Sequence, residues 1–431
     1  MELRPYIEAT EAQAQIAAMV DAGQYEQALW TVASTVQSFY TSKEVIGHAL
    51  YLRGLDQQLE RIAAALHDPE LAARTEPGSG FVVIMSEFYN SGGHSRVTED
   101  LVQELGGAVV VMTDVFSSYA NGRLTVDQAS ERMPKAMVYP LPAAGFLPKV
   151  QQLQSLLRAV RPQAVLVMTH HQDPIPYVAL ASLPPTVRKV FFHHCDHQPA
   201  LGNTMPGYRH VDFTEHLQHI CAQNLQRPTD HMPLFVADQG LKPFSMPAGL
   251  AGMSVVGSGS SNKFQREGSV ALSQVVCEVL SCIGGIYWHI GQLPDDWQAE
   301  IRAELAVRGI AQERFQYVAH VPSLWQALQS LDAHAYLGSF PVPGGRGAIE
   351  AQGCGYPAVY YAHDDRAPLL RHADIFGSKE LGWTTLSELR NVLDHVAQNQ
   401  AHYVAAARDY YLQQYSHGVF SARLRQVLQG D

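Results

Sequence analysis

The sequence predicts an α/β protein: two facing Rossmann-like domains with parallel sheets, preceded by a small all-helical N-terminal region. Three observations carry this expectation. Short apolar runs of strand length alternate with stretches of helical spacing. The runs are nearly free of polar residues, as in strands covered on both faces of a parallel sheet. The alternation occurs twice, on either side of a stretch in which both periodicities fade. Length agrees, because 431 residues exceed a single hydrophobic core.

Residues 1–75 form the helical region. "EAQAQIAAMVDAGQYEQALWTVASTVQSFY" places Ile16, Met19, Val20, Tyr25, Ala28, Leu29 and Val32 at three-to-four spacing. Within it "AGQYEQAL" resembles the start of a tetratricopeptide-type hairpin, in a single copy, so a helical layer packed on the next domain is expected. "TEPGSG" at 75–80 breaks the pattern. The first Rossmann-like domain, 76–235, carries the strand candidates "FVVIM" (81–85), "AVVVM" (108–112), "AVLVM" (164–168) and "VFF" (190–192). Periodicity fades through "QRPTDHMPLFVADQGLKPFSMPAG", which marks the crossing. The second domain, 236–431, repeats the alternation with "MSVVG" (253–257), "GIYWHI" (285–290), "FQYVA" (315–319), "AHAYLG" (333–338) and "PAVYY" (357–361). Thr385 and Glu388 have capping-box spacing and open a further helix.

Composition excludes several classes. Net charge is −11 with 30 Lys and Arg, and no basic run exists to neutralise a nucleic-acid backbone. The five cysteines are an odd number without a CxxC pair, which argues against a disulfide framework and a cysteine-based zinc site. "MELRPYIEATEAQ" lacks the basic and apolar segments of a secretory signal, and no apolar run reaches the ~18 residues of a membrane span. A cytoplasmic protein without transmembrane segments is expected.

The most informative stretch is "YLGSFPVPGGRGAIEAQGCGYPAVYY", 336–361. A strand ends near Gly338, a Pro/Gly loop follows, and a helix begins at "RGAIEAQGCG". Gly344 and Gly345 let the backbone approach a ligand, and the helix start offers N–H groups and a positive dipole end to a phosphate. No GKS or GKT follows and no strict GxGxxG occurs, so neither a P-loop nor generic dinucleotide binding is implied.

This stretch resembles the donor-binding segment of GT-B glycosyltransferases. Glu350 matches the acidic residue that binds the ribose, and Gly355-Tyr356-Pro357 matches the closing G-x-P. Many retaining members carry a second glutamate where this chain has Val342, and the pattern is closer to the inverting O-GlcNAc transferase and bacterial protein N-glucosyltransferase group. The resemblance further assigns Lys263, beside Asn262 in "VVGSGSSNKF", to the donor diphosphate together with Gly344, Gly345 and Arg346. His320 in "YVAHVPSLWQAL" borders the base. In "SEFYNSGGHSRVTEDL" the loop Gly92-Gly93 and Arg96 line the cleft, and His94 is the first choice for catalytic base, since an imidazole can accept a proton at neutral pH. The implied activity is transfer of a hexose from a nucleotide-diphosphate donor, UDP favoured, with inversion. No cofactor and no metal are assigned, and no D-x-D triad occurs. The acceptor is unspecified, with a protein among the choices.

"VFFHHCDHQPALG", 190–202, concentrates three histidines and an aspartate. An HxHxDH metal cage is broken at Phe192, so a metal hydrolase drawing also on His170, His171 and Asp173 is the lesser reading. Similar H-x-D-H-x-x-x-LG segments occur in bacterial glycosyltransferases, which makes His194, Asp196 and His197 acceptor- or sugar-binding groups, the last two rivals of His94 as base. His170 joins them on the cleft floor, and a buried hydrogen-bonded pair is the plainer reading of His170 and His193. A sugar-nucleotide epimerase of the same fold is the alternative enzyme, and a non-catalytic scaffold built on the N-terminal helices is the alternative class.

Overall fold

The computed structural model describes residues 6–40, 42, 45–73, 78–89, 93–264, 270–362, 368–370 and 373–429. The chain divides into two compact units. The first comprises residues up to Met232 together with those from Ser421 onward, and the second is Pro233–Phe420.

The first unit opens with α1 (Thr10–Asp21), α2 (Tyr25–Tyr40), α3 (Arg53–Ala65) and α4 (Pro69–Ala72). Its strands are β1 (Gly80–Met85), β2 (Ala108–Met112), β3 (Ala136–Pro140), β4 (Pro162–Met168), β5 (Arg188–Phe192), β6 (Arg209–Asp212) and β7 (Asp230–His231). Between them lie α5 (Gly93–Glu104), α6 (Val126–Arg132), α7 (Phe146–Val160), α8 (Ile175–Ala179) and α9 (Glu215–Leu225). All strands run parallel in the order β3-β2-β1-β4-β5-β6-β7.

The second unit has β8 (Val255–Ser258), β9 (Tyr287–Ile290), β10 (Phe315–Val318), β11 (Ala335–Leu337), β12 (Ala358–Tyr361) and β13 (Gly382–Trp383). They form a parallel sheet in the order β10-β9-β8-β11-β12-β13. Its helices are α10 (Leu272–Cys282), α11 (Asp295–Val307), α12 (Leu324–Ser330), α13 (Gly345–Gly353), α14 (Ala373–Phe376), α15 (Leu386–Gln398) and α16 (Gln400–Gln414). The last helix, α17 (His417–Gln429), carries the chain back into the first unit.

The apolar runs are strands because both faces are covered. Val255, Ala335 and Leu337 belong to one cluster with α10 and α15, while Val256 and Tyr336 belong to another with α12, α13 and α16. Four strands escape the sequence pattern, each for a physical reason. β3 is an edge strand whose Met137 and Tyr139 are exposed, so no continuous run marks it. β6 buries histidine and aspartate. β7 and β13 have two residues each.

The N-terminal helices share the core of the first sheet. Ile16, Leu29, Leu55, Leu59 and Ile62 pack in one cluster with Val82, Ile84, Val165 and Val167. Gly23, in "AGQYEQAL", takes a left-handed φ of 71° and turns α1 into α2. A polar contact completes the join. The Glu26 carboxylate accepts hydrogen bonds from the Phe146 and Leu147 backbone N–H groups at 2.9 and 2.6 Å, an anion on the open end of α7. Gly145 is required there, because its φ is 87° and a Cβ would lie 2.7 Å from Glu26 Oε1. In the second unit, Thr385 and Glu388 form the reciprocal capping box that their spacing predicts.

Leu59→Ala removes a fully buried side chain from this shared core and should destabilise the first unit by about 2–5 kcal/mol. Hydrogen exchange reads the result: protection should fall in β1 and β4 as well as in α3. Unchanged protection of the strands would mean that the helices fold as a separate body.

Candidate functional site

In an open parallel sheet, ligands bind outside the carboxyl ends of the strands where strand order reverses. In the second unit that place lies between β8 and β11, since the chain proceeds from β8 towards β10 on one side and from β11 towards β13 on the other. In the first unit it lies between β1 and β4.

The loops that follow β8 and β11 meet. The Val342 N–H donates to the Lys263 carbonyl at 3.3 Å. Lys263, half-buried, and Asn262, exposed, stand on the single turn Ser261–Lys263. Gly259 has φ 150°, and a Cβ on it would lie 2.9 Å from Phe264. The His289 ring contacts its carbonyl at 3.0 Å. Gly344 is the N-cap of α13 and Gly345 its first residue. Gly347 allows the helix to settle on the strand ends, where a Cβ would lie 2.9 Å from the Tyr336 hydroxyl and 3.1 Å from Ser258 Oγ. Those two hydroxyls are themselves bonded at 2.7 Å.

Glu350, on α13, accepts from the Trp325 N–H at 3.0 Å and lies 3.7 Å from Arg346, whose Nη1 donates to the Phe235 carbonyl. Gly355, with φ 91°, ends the helix turn before Tyr356 and Pro357. The structure thus brings Lys263, Gly344, Gly345, Arg346 and Glu350 to one switch point. His320 stands apart, exposed beyond edge strand β10, two strands from β8.

At the first switch point three histidines meet. His94 lies in the first turn of α5, and its ring is 4.9 Å from both His170 and His194, which are 6.2 Å from each other. His94 Nε2 is 2.8 Å from the Met168 carbonyl at the end of β4. A carbonyl only accepts, so Nε2 carries the hydrogen and Nδ1 is left as the acceptor. Nδ1 is buried without a hydrogen-bond partner. Burial holds His94 down at about 4, and the Met168 carbonyl opposes this only in part. Burial and then His94 hold His194 at about 3. Burial, followed by His94 and His194, puts His170 well below the ordinary range. These are neutral rings, and charging one is penalised by its neighbours. Gly93 precedes His94, while Gly92 lies outside the described residues. Arg96 pairs with Glu99 at 3.0 Å.

"HHCDH" does not close around one point. His193 faces Asp212, His194 faces His94, and the His197 Nδ1 pairs with the Asp196 carboxylate at 2.9 Å. Asp173, considered above as a metal ligand, is fully buried under the loop, accepting from Ser86 Oγ at 2.7 Å and from the Thr113 hydroxyl. Ser86 Oγ in turn accepts from the His170 N–H at 2.9 Å, so this network positions the histidine loop. The glycine of "ALG" has a structural reason: Gly202 has φ 87°, and a Cβ would lie 2.1 Å from the Tyr177 ring.

Sequence reasoning missed the contribution of the helical region. Tyr40 stacks on His171 at 4.8 Å, and the Gly47 N–H donates to the His197 carbonyl at 2.7 Å. Nothing in the spacing of residues 40–47 marks them for this place.

No family model matches the sequence, and no curated protein matches it significantly. Solved structures do. An O-GlcNAc transferase variant of Thermobaculum terrenum aligns over 98% of this chain and 85% of its own, at 15% identity and TM-score 0.54. A glycosyltransferase from Rickettsia africae covers 82% and 98%, at 10% identity and TM-score 0.60. HepE of Anabaena, solved with UDP, covers 81% and 99%, at 12% identity and TM-score 0.57. The fold is GT-B. The strand-end loops described above are therefore the switch-point loops of a GT-B chain, and the helical layer precedes them in sequence. Among the described residues, no helix is long and apolar enough to cross a membrane.

The neutral rings give a test. At pH 6, His94 and His170 should remain uncharged in nitrogen-detected NMR, with His94 as the Nε2–H tautomer titrating near pH 4. The folded chain resists protonation that the unfolded chain accepts near 6.5, so His94, His170 and His171 make stability fall as pH drops from about 6.5 towards about 4. Asp56 and Asp173, raised by burial, act with the opposite sign. A charged His94 at pH 6 would contradict the packing.

Proposed function

We propose that the chain is a metal-independent glycosyltransferase that moves a sugar from a nucleotide-diphosphate donor, UDP-hexose favoured, to an acceptor. The observation that carries the proposal is the meeting of the Lys263 turn and the α13 N-terminus at the β8/β11 switch point, joined through Val342. When the bond from the anomeric carbon to the diphosphate oxygen breaks, negative charge grows on the leaving group. The Lys263 ammonium and the α13 N-terminus would stabilise that charge without a metal ion. Glu350, which accepts from the Trp325 N–H, is the carboxylate that the resemblance assigns to the ribose hydroxyls. The complexes of HepE with UDP and with UDP-glucose support this class of donor.

The acceptor must lose a proton as it attacks with inversion. We assign that proton to His197, whose Nδ1–H donates to Asp196 and leaves Nε2 as the acceptor. His197 is half-buried, whereas the His94 Nδ1 is covered and its proton affinity is low. His94 then serves as a neutral hydrogen-bonding wall beside His170 and His194. A protein acceptor is compatible with the helical layer that reaches His171 and His197.

UDP should raise the melting temperature and bind equally well with and without EDTA. Lys263→Ala should weaken UDP about 10- to 100-fold by calorimetry, the worth of a charge-assisted contact. A chain that binds no nucleoside diphosphate or nucleotide sugar overturns the proposal, and conversion of one UDP-sugar into another, without release of UDP, would make it an epimerase.

His197→Ala should lower kcat by about two to four orders of magnitude at unchanged UDP affinity. His94→Ala should cost much less. The reverse ranking would return the base to His94.

A further inference from the structure

One polar cluster belongs to neither switch point. His193, the residue after β5, lies with its Nδ1 2.9 Å from Asp212 Oδ1. His210 Nε2 lies 3.1 Å from the same oxygen, and Cys221 Sγ lies 3.5 Å from His193 Nδ1. One ligand atom from each of the four residues falls within 4.8 Å of the others, and all four side chains are buried. The local sequence dictates the convergence. His210 and Asp212 are alternate residues of β6 and so share a face of the sheet. Cys221 lies on the buried face of α9 with Leu217. The His193 N–H donates to the Val211 carbonyl at 2.8 Å, which sets its side chain beside both β6 residues.

We propose that His193, His210, Asp212 and Cys221 form a structural zinc site. Two imidazoles, a thiolate and a carboxylate are a zinc donor set, not one for calcium or magnesium. Zinc distances of about 2.0–2.3 Å place tetrahedral ligand atoms roughly 3.3–3.8 Å apart, so modest adjustments bring the four onto one ion. The charges close as well. Zinc with one thiolate and one carboxylate is neutral, which matters where an uncompensated carboxylate is costly. The hydrogen bonds to Asp212 come from imidazoles, which carry charge only when protonated.

One unsatisfied atom fits the same reading. Asp212 Oδ2 is buried without a hydrogen-bond partner. The Tyr51 hydroxyl donates to Cys221 Sγ at 3.2 Å and supports the thiolate. Loading releases the thiol proton of Cys221 and leaves each imidazole neutral with one N–H. Four protein ligands in a closed interior make the ion structural. It would brace the chain from which His194, Asp196 and His197 extend, and it lies outside the donor loops, so UDP binding without added metal is compatible with it.

The test measures metal directly. The full chain, purified from zinc-supplemented medium without chelator, should hold one equivalent of zinc by elemental analysis. Cys221→Ser and His210→Ala should lose most of it, and His94→Ala should retain it. Refolded with cobalt(II), the wild type should show tetrahedral d–d absorption and a near-ultraviolet thiolate-to-cobalt band, the latter absent in Cys221→Ser. Wild-type chain that is folded yet zinc-free, and that shows no thiolate-to-cobalt band, overturns the proposal and leaves Asp212 as the centre of a hydrogen-bonded network. UDP binding is not a readout, so either proposal can fail without the other.

Discussion

The reversal of strand order at β1/β4 and at β8/β11 is the constraint on which the rest depends. Where neighbouring parallel strands send their chains in opposite directions, the following helices separate and cannot cover the strand ends. The space left is lined by backbone N–H groups and by whatever the loops carry. In the second unit the loops carry glycines and one lysine, and in the first they carry histidines. Two identical topological features thus carry different residues, glycines with a lysine in one and buried, neutral histidines in the other.

Neutrality in the first site is a product of packing. Rings 4.9 Å apart with their edges covered cannot each be hydrated, and the cost of charging one rises with the number of neighbours. Asp173, Ser86 and Thr113 hold the loop from beneath without exposing a carboxylate to the rings. The contrast with His197 is local. A carboxylate on Nδ1 fixes its tautomer, and the side chain is partly exposed.

Much of the fold is legible in the sequence because strands covered on both faces must be continuously apolar. Where that condition lapses, legibility lapses with it: β3 alternates as an edge strand and β6 buries His210 and Asp212. Glycine after β8, and glycine with proline after β11, mark the switch-point loops from sequence, since close approach needs them. The division of "HHCDH" is not legible, because the direction of each side chain depends on which strand lies beside it. His193 is set by β6, His194 by α5, and His197 by its own neighbour Asp196. The approach of Tyr40 and Gly47 is set by packing of helices more than a hundred residues away.

The last helix has a consequence for the order of synthesis. Residues 421–429 of α17 belong to the first unit, where Leu424 and Val427 are buried, the Arg188 guanidinium donates to the Gln429 carbonyl at 2.7 Å, and Ser421 bonds to Glu104. The ribosome makes these residues only after the whole second unit. The nascent first unit therefore waits with an apolar surface uncovered while nearly two hundred further residues emerge, and it is completed after its successor. Folding of the two units is interleaved in time, and a ribosome that stalls late in the message leaves the earlier unit unfinished.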